Sequence, residues 1–180
     1  MDINKNVYRW TKRDKLYYFI ILIPFLVGFI GAAIILATIS IYLTFFLILL
    51  YSIANIFQAG CCVGCPYRGR YCPALCGVFL ANFLSAVFYK NRKYNEKFFK
   101  INASFAEIFV LLIFIYCAVF LFFVHIFYTV AFLTLAILHF ILFFSILCPK
   151  CSYNETCPGG QTSCKIFKKR CEKYKIHKVN

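Results

Sequence analysis

The sequence predicts an all-α integral membrane protein with four transmembrane helices arranged as two hairpins. Both termini are expected in the cytoplasm, with two Cys-rich cytoplasmic knuckles and an interfacial helix. Three observations predict this. Apolar residues make up 63% of the 180-residue chain and charged residues 14%, where soluble domains sit near ~45–50% and ~25%. Two long stretches, Leu16 to Phe57 and about Ile101 to Cys148, hold no Lys, Arg or Asp, and Glu107 is the only acid in either. All 20 Lys and Arg fall outside those stretches. A disordered chain and an ordinary soluble domain are excluded by this composition.

One helical span needs about 20 apolar residues to cross ~30 Å of hydrocarbon. Each stretch is twice that length, so each reads as a hairpin with a short turn at the interface. The expected spans are 17–37, 41–58, 103–123 and 127–147, turning near Ala37 to Ser40 and near Val124 to Ile126. The apolar run after the basic start is too long for the h-region of a cleavable signal peptide. Tyr8, Trp10, Tyr17 and Tyr18 form an aromatic belt where the first span begins.

With four spans, the basic segments 1–15, 59–101 and 148–180 all lie on one face, and the two hairpin tips (within 16–58 and 102–147) carry no basic residue. The positive-inside rule makes that face cytoplasmic and the compartment a cell membrane. The net charge of +14 serves orientation and attraction to anionic lipid headgroups; no nucleic-acid partner is predicted.

Within the middle segment, residues 77–89 repeat apolar side chains at helical spacing: Phe79, Leu80, Phe83, Leu84, Val87 and Phe88. The segment is too short to span. It reads either as a helix lying flat at the cytoplasmic interface or as one packed on the protein's own spans. The chain also reads as a weak internal repeat. Each half is a hairpin, then a Cys knuckle, then a basic tail.

Ten of the 11 Cys form two groups, Cys61, Cys62, Cys65, Cys72 and Cys76, and Cys148, Cys151, Cys157, Cys164 and Cys171. Each contains a C-x-x-C, and Pro66, Pro73, Pro149 and Pro158 each follow a Cys. Proline fixes φ and shapes a tight knuckle on which sulfurs converge. In a reducing compartment this spacing points to metal ligation. The expected ligands are Cys62, Cys65, Cys72 and Cys76 for one site and Cys148, Cys151, Cys157 and Cys164 for the other, with Cys61 and Cys171 as spares. The choice leans narrowly to an iron–sulfur cluster over zinc, because Cys-Pro recurs and Cys exceed the needs of two zinc sites, although the ferredoxin run is absent. Electron transfer or a subunit of a membrane complex would follow. The alternatives are a membrane thiol–disulfide or metal-handling protein, and a small structural subunit with zinc-stapled loops.

Three further residues are singled out. Cys117, mid-span, reads as packing. Glu107 reads as an acid that pairs with Lys100 or reaches water. His139, deeper in the fourth span, reads as bonded to a neighbouring hydroxyl or carbonyl; haem ligation needs a second His, and His125 lies at the far tip. The Asn102 and Asn154 sequons read as chance matches. No P-loop, dinucleotide fingerprint, zincin motif or nucleophile elbow is present, and catalytic residues are unassigned.

Overall fold

The computed structural model describes residues 8, 10–63, 65, 77–93, 95–151, 154–169 and 171–172, with backbone alone for 77–82. All its regular elements are helical: α1 (Lys12–Ile39), α2 (Ile41–Gly60), α3 (Gly77–Phe88), α4 (Glu96–Val124), α5 (Ile126–Leu142) and α6 (Pro158–Ile166). A π-helical turn, Phe143–Leu147, and a 3₁₀ turn, Cys148–Lys150, extend α5. Four helices are long and apolar enough to cross a membrane: α1, α2, α4 and the stretch Ile126–Lys150.

Local chemistry sets the boundaries. Thr11 and Asp14 form a capping box at the start of α1, and Asn95 caps α4 ahead of Glu96. Helix N-termini favour acids in the first turn. Both helices therefore begin earlier than the expected 17 and 103, because an apolar count stops short of a charged first turn. Single extended residues separate the paired helices. Ser40 ends α1 and starts α2; His125 ends α4 and starts α5. Both breaks fall where turns were expected.

The two breaks are built alike. Ser40 N–H donates to Leu36 O, and His125 N–H to Leu121 O. Each side chain accepts the amide two residues on, from Tyr42 and Phe127. Thr44 Oγ1 donates to Ala33 O, and Thr129 Oγ1 to Ala118 O. A shift of 85 residues carries Ala33, Leu36, Ser40 and Thr44 onto Ala118, Leu121, His125 and Thr129. The core obeys the same shift: Ala32, Leu36 and Leu47 correspond to Cys117, Leu121 and Phe132, all buried in one cluster. So do the helix contacts, since α1 packs on α2 and α5 while α4 packs on α5 and α2.

Around this core the long helices expose Phe19, Ile34, Phe45, Leu111, Phe122 and Phe127. Apolar side chains presented all round a bundle match a hydrocarbon solvent. α3 packs against α2. Its Ser85 is fully buried, whereas Phe83, Val87 and Phe88 face outward.

Candidate functional site

The fourth apolar helix ends in a knuckle fixed from several sides. In its π-helical turn the carbonyl of Phe144 accepts a hydrogen bond from Ser163 Oγ of α6 at 2.6 Å. A π turn inserts one residue into helical register. Beyond it a shift of 86 rather than 85 aligns the halves, and Cys148 and Cys151 then fall on Cys62 and Cys65.

Lys150, inside the second C-x-x-C, forms a buried ion pair with Asp14 at the start of α1. Asp14 Oδ2 also accepts from Thr11 N–H at 2.9 Å, Thr11 Oγ1 at 2.7 Å and Tyr8 OH at 2.8 Å. Asn154 Nδ2 donates to Pro149 O at 3.0 Å. Gly160 lies against the Asn154 backbone, where a Cβ would stand 2.6 Å from its Cα; only glycine fits there. α6 opens with Pro158, whose missing N–H costs a helix nothing in its first turn. The next amide, Gly159 N–H, is an unpaired helix donor, and Glu107 Oε1 of α4 accepts it at 2.8 Å. Glu107 thus caps α6 from another helix. Lys100, its expected partner, pairs with Glu96 at 2.7 Å instead.

α6, with Cys157 at its N-cap, packs on the 3₁₀ turn that Cys148 opens. Burial pushes the Cys157 thiol up; the Gly160 amide pulls it down, Glu107 adds to the rise, and the Gly159 amide opposes it.

The expected ligands divide as follows. Cys148 and Cys151 bracket the 3₁₀ turn of the knuckle, and Cys157 stands at the N-cap of α6. Cys164 is bonded to Cys171; the chain leaves helical geometry at Phe167, with φ −108° and ψ 44°, and folds Cys171 back. Cys164 therefore offers no thiolate in this arrangement, and Cys171 is its partner rather than a spare. Cys62 and Cys65 lie just past α2, joined by a turn in which Cys65 N–H donates to Cys62 O at 3.3 Å. Neighbouring Cys61 Sγ lies 3.9 Å from Phe99 O of α4. Cys72 and Cys76 lie outside the described residues. Among the described residues, no three His, Cys, Asp or Glu side chains are grouped closely enough to hold a metal ion as they stand.

His139 is buried, with Nδ1 2.7 Å from Ile21 O. That acceptor puts the proton on Nδ1, and Nε2 has no partner among the described residues. The cavity next to its neighbour Phe25, lined also by Pro24, Gly28 and Phe114, measures about 10 Å³, room for one water and not for haem or a quinone. His125 serves as a cap. Cys117 is fully buried at the position that Ala32 takes in the first half, as a packing residue would be. Asn102 and Asn154 are buried and their amides donate to Phe98 O and Pro149 O. Reading the sequence missed Asp14, Lys150, Asn154 and Gly159 as site-forming residues; the Thr-x-x-Asp box was the one local signal.

No family model, curated protein or solved structure matches the chain.

Proposed function

We propose that the chain is a four-span membrane protein of two hairpins, with both termini and both Cys groups on the cytoplasmic face. The knuckle after its fourth span holds one thiophilic metal ion through Cys148, Cys151 and Cys157. The observation that carries this reading is the packing of α6 on the 3₁₀ turn Cys148–Lys150, which sets Cys157 at the N-cap of α6 beside that turn, two residues from the Gly159 amide that Glu107 accepts. Partly buried thiols beside an acid resist ionisation. A bound divalent cation reverses that balance and draws the thiolates together. With Cys164 engaged by Cys171, three thiols remain and Glu107 is the adjacent donor. That set suits a single zinc ion better than a four-Cys iron–sulfur cluster.

The orientation is supported by contacts at one end of the bundle. Asp14 meets Lys150, Cys61 meets Phe99, and Glu107 meets Gly159. These join the start of α1, the end of α2, the first half of α4 and the end of the fourth span. The basic segments flank these points, and their partner is the anionic lipid surface.

A second reading is favoured by the Cys164–Cys171 bond. Structural disulfides are rare in a reducing cytoplasm. On that side the pair would be one that opens and closes, exchanging two electrons and two protons with a dithiol partner.

Anaerobic purification in detergent with metal analysis and an absorption spectrum tests the reading. A colourless protein retaining zinc is expected, with the metal lost in Cys148→Ser, Cys151→Ser and Cys157→Ser and kept in Cys117→Ser and Cys164→Ser. A folded, metal-free protein whose knuckle thiols all alkylate freely would overturn it. Alkylation trapping in intact cells reads the state of Cys164 and Cys171 separately.

A further inference from the structure

Over 83–88, where the side chains of α3 are described, a serine turns inward and Phe83, Val87 and Phe88 turn outward. Ser85 is fully buried while Phe83 is 65% and Val87 57% exposed. An apolar face turned away from the protein, beside helices that expose apolar side chains to lipid, continues the same surface. The chain then turns sharply. Tyr89 N–H donates to Ser85 O and Arg92 N–H to Tyr89 O, both at 3.1 Å. This turn is anchored: Tyr89 OH donates to Asn102 Oδ1 at 3.2 Å, and the Asn102 side chain fills the space left by the missing Cβ of Gly60. The Arg92 guanidinium lies 5.9 Å over the Phe98 ring. Val87, Phe88, Tyr89, Lys90, Asn91 and Arg92 line a shallow groove open at the surface. Among the described residues neither Lys90 nor Arg92 is in an ion pair.

We propose that this groove binds one anionic glycerophospholipid of the cytoplasmic leaflet. Phe83, Val87 and Phe88 lie among its acyl chains, and its phosphate sits between the Lys90 ammonium and the Arg92 guanidinium. Guanidinium supplies forked donors to phosphate oxygens, and lysine a point charge. The fixed turn holds both cations beside the apolar face, as an amphiphile requires. The inference rests on the orientation proposed above and makes specific what was there a general attraction to headgroups.

The test uses the full chain in nanodiscs of phosphatidylcholine with a minority of phosphatidylglycerol, released intact into a mass spectrometer. One retained phosphatidylglycerol is expected. The pair Lys90→Gln and Arg92→Gln should lower the affinity for it, read from occupancy across a series of phosphatidylglycerol fractions, by about thirtyfold, from two interfacial cations. The pair Lys165→Gln and Lys168→Gln, equal in charge loss, should leave it unchanged. Phe83→Ser with Val87→Ser should weaken retention, and millimolar inorganic phosphate should not displace the lipid. All these side chains are exposed, so the variants are compared at equal helix content. No retained lipid in the parent protein, or equal loss in both charge pairs, would overturn the site. A reporter at Lys93 reads the orientation independently, so the two failures are distinguishable.

Discussion

Asp14 and Lys150 are 136 residues apart in sequence and form a buried ion pair. One end is the capping acid of α1, the other a residue between the two Cys of a C-x-x-C. The same carboxylate that satisfies the first turn of one helix therefore locks the turn that ends the last span. Tyr8 completes the enclosure, with its hydroxyl on Asp14 and its ring 6.0 Å from the Lys150 ammonium.

Removing one member leaves the other charge part-buried without its counter-ion, which costs about 1–3 kcal/mol. Asp14→Asn and Lys150→Met should each lower the thermal midpoint of the detergent-solubilised protein. The double variant should be more stable than the sum of the two losses implies. Simple additivity of the two losses would mean the residues are not coupled.

Glu107 has two roles that one substitution separates. Gln keeps an acceptor for Gly159 N–H but removes the negative charge near Cys157. Burial and Glu107 both raise the Cys157 thiol, so its neutral form persists to higher pH than for an ordinary thiol. Only the thiolate alkylates readily. In metal-free protein the Cys157 alkylation profile should rise late with pH, and Glu107→Gln should move that rise to lower pH. Glu107→Ala also removes a charge-assisted hydrogen bond, about 1.5–3 kcal/mol, and should loosen α6 to proteolysis. An unchanged profile in Glu107→Gln would separate the carboxylate from the thiol site.

The four apolar helices and the breaks at Ser40 and His125 were legible because lipid demands long uninterrupted helices, and composition records that demand directly. The repeat was half legible. Its identity is low, and the residue inserted by the π turn shifts the register between the breaks and the Cys, so no single offset aligns both. The sulfur pairing Cys164–Cys171 and the cap of α6 by Glu107 were not legible. Each depends on a bend or a helix contact that no local pattern encodes. α3 was readable as a helix, but the face it turns inward includes Ser85, a residue that periodicity assigned to the polar side.

Gly60 is required by a neighbour rather than by its own backbone. A Cβ at this position would run into the Asn102 side chain, which also receives Tyr89 OH and donates to Phe98 O. Gly60→Ala should cost about 1–3 kcal/mol, the range for overpacking. Adding Asn102→Ala should recover part of that loss, while Asn102→Ala alone should destabilise by freeing the Tyr89 hydroxyl. A Gly60→Ala protein as stable as its parent would show that α2 and α4 pack less closely at this point.

The proposed orientation rests on charge, and reporters test it. Twenty Lys and Arg lie in three segments, and the residues at both helix breaks, Ser40 and His125, have no basic neighbour in the adjoining turns. Moving either break to the basic side would require the three charged segments to cross instead, against the positive-inside bias. Cytoplasmic reporters fused at Lys5, Lys93 and Lys175 should be active, and those fused at Ser40 and His125 silent. Placing Lys at Thr38, Ser40 and Tyr42 together should reduce accumulation, because the charges would have to be translocated. A silent reporter at Lys93 would invert the chain. The Cys164–Cys171 bond would then face an oxidising compartment as a plain staple, and the compartment argument for a metal-bound knuckle would fall with it.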